Sequence, residues 1–186
     1  MEDSHAYEAP PLEGILVETF DFLEVCCGVN APLSAAMARA GLRVGPRVDI
    51  RLGGVFDVRT TKFILWVIFL ITHDRVWYLH WAPTCTTFSL ARNPRLRSHE
   101  QPMGFDPSEE LTREGNCLLL RAILAMRVIA LRSSRHGSLE QPKGAYSWSV
   151  EAMLALLSLW TVVTYVLFTL RPRQDPGRNS ASAMTF

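Results

Sequence analysis

The sequence has almost no net charge, and it lacks the cysteine spacings of metal sites and disulfide frameworks. Its 19 Lys and Arg residues against 18 Asp and Glu residues give a net charge of +1, so any basic surface for nucleic acid must be local. None of the cysteines forms a C-x-x-C pair, and two are adjacent, which fits neither zinc binding nor a disulfide framework. They are Cys26, Cys27, Cys85 and Cys117. These absences favour reduced thiols in an intracellular protein without a bound metal.

Both ends of the sequence lack the features of folded or targeted segments. "MEDSHAYEAPPLEG" is acidic, contains proline and has no apolar core of a signal peptide, so residues 1–17 are expected to be a mobile lead-in. Residues 171–186 are low in apolar content and are expected to be a disordered tail. With 48% hydrophobic residues, the chain has enough apolar material for one packed domain over 18–170.

Between these ends, strand-like and helix-like apolar runs alternate. Strands are predicted over 18–27, 42–50, 53–58, 75–81 and 137–142. Helices are predicted over 33–41, 60–74 and 111–137, and a polar, arginine-rich loop over 83–110. One stripe of the last helix is expected to face the core, namely Cys117, Leu120, Leu124, Val128 and Leu131. This alternation predicts an α/β fold, with a parallel sheet and helices on both of its faces.

Residues 152–170, "AMLALLSLWTVVTYVLFTL", carry no charge and have two interpretations. Their length is close to that of a membrane-spanning helix. The second half is rich in β-branched and hydroxyl-bearing residues, which favours a buried helix followed by a buried strand. The sequence favours the second interpretation, and a single-span membrane protein stays open as an alternative.

Reactive or turn-forming residues follow five of the predicted strands. In parallel sheets, ligands bind at the carboxyl ends of strands. The residues at these ends are Cys27-Gly28, Asp49, Asp57, Pro83-Thr84-Cys85 and Glu140-Gln141-Pro142. Since right-handed crossovers place these ends at one edge, we expect Cys85 in the loop after the strand "VWYLHW", at the same edge as Gly28 and Glu140.

The motifs "LEVCCGVNAPLS", "VDI", "FDV", "PTCTTFSLAR" and "LEQP" occur in this order. In order and spacing they resemble cytosine-C5 methyltransferases, especially the divergent DNA-methylase-like domains of protists and mobile elements. The resemblance covers about residues 20–170. It implies a Rossmann-like, S-adenosylmethionine-dependent methyltransferase sheet, incomplete at its C-terminus because no seventh strand or target-recognition domain follows.

The resemblance also implies roles for individual residues. The thiolate of Cys85 would add to C6 of a flipped-out cytosine, and protonated Glu140, in a dry pocket that raises its pKa, would hold N3. The residues implied in S-adenosylmethionine binding are Cys27, Gly28, Asn30, Asp49, Asp57 and Pro83. The residues implied in contacts with DNA phosphates, less probably with tRNA, are Arg92, Arg95 and Arg97.

Several features also have ordinary structural explanations. Cys85 could be a packing residue, and His80, on a strand, is expected to be a satisfied core residue. Only Gly28 remains of the two or three glycines that the family has in its first loop, Thr84 replaces a proline and Gln141 replaces an asparagine. The sequence therefore predicts a nuclear cytosine methyltransferase, and a catalytically inactive, truncated remnant of that fold is the alternative.

Overall fold

A computed structural model describes residues 18–159 of the chain. The strands are β1 (Phe20–Val25), β2 (Val76–Trp81) and β3 (His136–Leu139). The helices are α1 (Pro32–Arg39), α2 (Thr61–Thr72), α3 (Glu110–Ala130) and α4 (Glu151–Leu159). The three strands are parallel in the order β1-β2-β3. The α/β class with a parallel sheet is thus confirmed, and the sheet is small.

The prediction of two short strands over 42–50 and 53–58 is wrong. Only single bridges form there, from Val44 to Phe22 and from Val48 to Val25, both parallel. The chain then makes two 3-10 turns, Ile50–Leu52 and Gly54–Phe56. Glycines and a proline interrupt the apolar run and prevent a continuous ladder. The segment still lies along the edge of β1 that faces away from β2.

One face of the sheet forms the hydrophobic core. Leu23 and Val25 of β1 and Leu79 and Trp81 of β2 alternate onto this face and are fully buried. Helices α2 and α3 cover them, with Phe63 of α2 packed edge-on against Trp81 at 6.3 Å between ring centroids. The threonine N-cap predicted for α2 is confirmed, because Thr60 Oγ1 accepts a hydrogen bond from the Phe63 amide at 3.2 Å.

The opposite face of the sheet carries α1 and polar side chains. The carboxylate of Glu24, itself only 5% exposed, accepts hydrogen bonds from Ser34 N at 2.7 Å and Ser34 Oγ at 2.6 Å. It therefore caps the first turn of α1, where the N-cap residue Ala31 has no side-chain acceptor. The sheet therefore has helices on both of its faces, as predicted.

The prediction of which stripe of α3 faces the core is wrong. Leu120, Leu124 and Leu131 are 41%, 46% and 77% exposed, whereas Leu119 and Met126 are buried. The helix is apolar on two sides, so spacing alone does not distinguish them. The buried side also carries three small residues, Gly115, Ala122 and Ala125, and Gly115 lies against Thr87 and Arg97 of the loop after β2.

The uncharged run over 152–170 begins within α4, which confirms the helix expected for its first half. The strand expected for its second half lies outside the described residues, as do the lead-in over 1–17 and the tail over 171–186. Within 18–159, no helix combines the length and the apolar character needed to cross a membrane.

Candidate functional site

The turn between β1 and α1 uses backbone conformations that usually require glycine. Cys26, Gly28 and Ala31 have φ angles of 62°, 70° and 39°. A Cβ atom is costly in this left-handed region, and such strain concentrates at functional sites. Two of these three left-handed positions are therefore occupied by residues other than glycine.

Two aspartates of the site are each held by an arginine two residues later in the chain. Asp49 Oδ1 accepts from Arg51 N and Nε at 3.0 Å, and Oδ2 accepts from Gly28 N at 2.9 Å and Arg51 Nη2 at 3.4 Å. Asp57 Oδ1 accepts from Arg59 N at 3.0 Å and Nε at 2.8 Å, and Oδ2 accepts from Arg59 Nη2 at 2.9 Å. The Asp-x-Arg spacing occurs at both places in the sequence, and it is the pattern from which both ion pairs could have been predicted.

These contacts keep both carboxylates ionised. Burial favours a higher pKa for Asp49, but hydrogen bonds from Arg51 and Gly28 outweigh it and lower that pKa. Hydrogen bonds from Arg59 lower the pKa of Asp57. A carboxylate offers about four acceptor sites. Among the described contacts, Asp49 uses all of them, and Asp57 keeps one for a ligand.

A cavity of about 430 Å³ opens at the carboxyl ends of β1 and β2. Its walls include Cys26 after β1, Thr84 after β2, both aspartates, and Glu114 of α3. The edge segment 44–48 lies on one side of β1 and β2 on the other, so the strand order reverses here. Ligands of open parallel sheets bind at such a reversal, and the volume is within the range of small-molecule sites.

The cavity brings together only part of the predicted cofactor set. Asp49 and Asp57 line it, whereas Cys27, Gly28, Asn30 and Pro83 do not, and their neighbours Cys26 and Thr84 take that position. Gly28 still contributes through its amide, which fixes Asp49. Cys27 is buried and donates its thiol to the Gly28 carbonyl at 3.2 Å.

The thiols after β1 stay protonated at neutral pH. Burial raises the pKa of Cys26 to about 12, and Asp49 adds to the effect. Burial raises the pKa of Cys27 to about 11, with Glu24 as the next cause. A thiol is nucleophilic only as thiolate, so neither cysteine is suited to nucleophilic chemistry.

Cys85 lies in the loop directly after β2, as predicted, and its thiol is half-buried. Its carbonyl accepts hydrogen bonds from the amides of Phe88 and Ser89, both at 2.9 Å, and so starts a turn. Gln141 Nε2 donates to the Pro83 carbonyl at 3.0 Å, which links this loop to the one after β3. Because all three strands are parallel, the loops that carry Gly28, Cys85 and Glu140 share one edge.

Glu140 follows β3 directly, and its amide donates to the Trp81 carbonyl at 3.0 Å. Its side chain is 72% exposed. The prediction of a dry pocket around this carboxyl group is therefore wrong for the described residues. The nearest titratable partner is His80, whose Nε2 lies 3.6 Å from Glu140 Oε2. His80 is itself largely buried and contacts Ser138 Oγ, which confirms the satisfied core residue that we predicted.

Arg97 is fully buried, which corrects its expected contact with phosphate. All five of its donor hydrogens meet neutral protein acceptors, and the guanidinium lies 3.8 Å from the ring centroid of Phe88. Burial lowers the pKa of Arg97 to about 10. Arg95 is exposed and Arg92 is half-buried, so these two remain accessible at the surface of the loop.

Within residues 18–159, no cluster of three or more His, Cys, Asp or Glu side chains could hold a metal ion. Comparisons with protein-family models, with curated proteins and with solved structures find no match for this chain.

Proposed function

We propose that the chain is a Rossmann-like methyltransferase domain that transfers a methyl group from S-adenosylmethionine to C5 of cytosine in DNA, or less readily in tRNA. One observation carries the proposal. The cavity at the strand-order reversal is bordered by two acidic residues and by the loop that carries Cys85, and the Glu140 loop is hydrogen-bonded to that loop at the same sheet edge. The motif order in the sequence gives the same assignment.

The residues of the cavity fit the cofactor with one adjustment. Asp57 has one acceptor site left for a hydroxyl or amino group of a nucleoside. Arg51 Nη2 lies over the turn after β1, 3.3 Å from the place that a Cβ atom on Gly28 would occupy. The Arg51 side chain must therefore move aside for the cofactor to bind. The Arg51–Asp49 pair has a largely exposed arginine, and solvent screens such pairs, so little energy opposes this movement. Once bound, S-adenosylmethionine supplies an electrophilic methyl group.

Two side chains of this edge would act on the base. The Cys85 thiolate would form a bond to C6 of cytosine, which makes C5 nucleophilic, while protonated Glu140 would hold N3. The base must leave its stack to reach them. A base placed over Glu140 would also bury this carboxyl group, which provides the low-dielectric surroundings that the free protein lacks.

The arginines of the loop after Cys85 would position the nucleic-acid backbone. Arg92, which is partly exposed, and Arg95, which is exposed, follow the nucleophile by seven and ten residues, and guanidinium groups pair well with phosphate. Arg97 instead holds the loop in place from inside the protein.

A domain that keeps this fold without turnover is the second candidate. One observation favours it: Arg51 and Gly28 fill every acceptor site of Asp49, the carboxylate nearest to the turn after β1. In this case the arginine would close the cofactor site permanently.

The experiment is covalent trapping on DNA that contains 5-fluorocytosine, with S-adenosylmethionine present. We expect a denaturant-resistant adduct with the wild-type protein and with Cys117→Ser, and none with Cys85→Ser. Calorimetry with S-adenosylmethionine is run on the same samples. Absence of both an adduct and cofactor binding would refute the methyltransferase proposal and leave the inactive domain.

A further inference from the structure

A row of polar side chains crosses the sheet on the face that carries α1. Glu24 of β1 pairs in register with His80 of β2, and His80 pairs with Ser138 of β3. Glu140 lies two residues after Ser138 and so returns to the same face. Three of these four residues have no role in the chemistry described above.

The contacts within this row are specific. His80 Nδ1 lies 2.7 Å from Ser138 Oγ, and His80 Nε2 lies 3.6 Å from Glu140 Oε2. The His80 side chain is 12% exposed, whereas that of Glu140 is 72% exposed. The second contact is longer than a hydrogen bond, but rotation of the exposed glutamate can close it, as catalytic contacts often close when a substrate binds.

We propose that His80 is a positioning residue for Glu140: it shares a proton with this carboxyl group and delivers it when a base covers the site, while Ser138 orients the imidazole ring. The inference rests on the proposed function of Glu140.

The proton transfer balances within the row. Protonated His80 gives the proton on Nε2 to Glu140 Oε2, and the ring keeps the proton on Nδ1. Neutral His80 then donates Nδ1–H to Ser138 Oγ, and its Nε2 is left unprotonated, so the single O–H of the new carboxylic acid is free to donate to the base. Glu140 becomes neutral and able to donate to N3 of cytosine, at the moment when the bound base separates it from solvent.

The surroundings favour such a transfer. Burial lowers the pKa of His80, although Glu24 and Glu140 oppose this effect. An imidazolium that is poorly solvated gives up its proton readily. Among residues 18–159, Tyr78 and His136 also lie on this face of the sheet, where they form the preceding cross-strand row. Glu24 is committed to Ser34 on α1, so Glu140 is the acceptor that remains.

The first test is the NMR titration of the His80 imidazole in labelled full-length protein. In Glu140→Gln, loss of the nearby carboxylate should lower the His80 midpoint by about 0.5–1 pH unit. Glu110→Gln, an exposed glutamate at the start of α3, is the matched control and should leave the midpoint unchanged. Ser138→Ala should shift the neutral ring away from the Nδ1–H tautomer. An unchanged His80 midpoint in Glu140→Gln would overturn the proposal.

The second test is the pH profile of trapping on 5-fluorocytosine DNA by His80→Gln, which retains a hydrogen-bonding group for Ser138. The rate should fall by about tenfold at pH 7 and recover towards wild type at pH 5.5, where solvent more readily supplies the proton that His80 would deliver. A purely structural defect would lower the rate equally at both pH values, and that result would overturn the proposal.

The two tests separate the failure of this inference from that of the proposed function. If the wild-type protein neither forms an adduct nor binds S-adenosylmethionine, the methyltransferase proposal fails, and the titration alone decides whether His80 and Glu140 share a proton. If adducts form but Glu140→Gln does not move the His80 midpoint, the methyltransferase proposal stands and the role of His80 is refuted.

Discussion

Replacing the buried Arg97 with methionine should destabilise the domain strongly. The guanidinium donates from Nε to Thr87 O at 3.1 Å and from Nη1 to Pro102 O at 2.9 Å and to Asn116 Oδ1. Its Nη2 donates to Thr87 Oγ1 at 3.1 Å and Thr112 O at 3.0 Å. Arg97→Met leaves all five acceptors without this donor, three of them backbone carbonyls.

The size of the effect follows from two opposing contributions. Each buried acceptor left without a donor costs about 1–3 kcal/mol, whereas removal of the buried charge recovers part of that loss. We therefore expect the free energy of unfolding to fall by about 3 kcal/mol. This is a large share of the roughly 5–15 kcal/mol that stabilises a domain.

Urea denaturation followed by circular dichroism measures this change. Arg95→Met, two residues earlier and exposed, is the matched control and should change stability by less than about 0.5 kcal/mol. Arg97→Lys should not restore stability, because three donors on one nitrogen cannot reach five acceptors. If Arg97→Met costs less than about 1 kcal/mol, or if Arg97→Lys equals wild type, the reasoning is refuted.

Three further predictions concern the site and its surroundings. Asp57→Asn should weaken S-adenosylmethionine binding in calorimetry by about tenfold, a loss of one charge-assisted hydrogen bond, whereas Asp49→Asn should mainly lower thermal stability by releasing the turn after β1. Equal effects of the two variants on binding would contradict this assignment. In the folded protein, Cys26 and Cys27 should resist iodoacetamide at pH 8 and react once urea unfolds the chain, as mass spectrometry would show; labelling of either in the native state would contradict their raised pKa values. An arginine hydrogen bond lowers the pKa of Asp21 from 3.8 to about 2, so its contribution to stability is present above pH 4 and lost as pH falls towards 2. Asp21→Asn should flatten that part of the acid-unfolding curve, and an unchanged curve would count against the pair.

The sequence predicted the elements whose periodicity and caps are unambiguous. The apolar run after Thr60 forms a helix because threonine caps it, and "VWYLHW" forms a strand that ends before Pro83. The position of Cys85 followed from these elements together with the parallel topology. Its chemical role, and that of Glu140, stay predictions.

The remaining features depend on contacts that are distant in sequence. Periodicity could not show which apolar side of α3 faces the core, because both sides carry apolar residues and the buried one is set by contacts with elements distant in sequence. Nor could it show that Arg97 is buried, since its acceptors lie up to 19 residues away. The satisfied, largely buried state predicted for His80 is confirmed, but its partners could not be predicted because Ser138 and Glu140 are 58 or more residues later in the chain.

One turn of α3 touches both the cavity and the support of the Cys85 loop. Glu114 pairs with Arg59 at the cavity, and its neighbours Gly115 and Asn116 pack against Arg97. A ligand that shifts Arg59 would therefore also displace the helical turn that packs against the loop over residues 82–109. We expect occupancy of the cavity to slow amide hydrogen exchange in this loop, so that cofactor and nucleic acid bind cooperatively through α3.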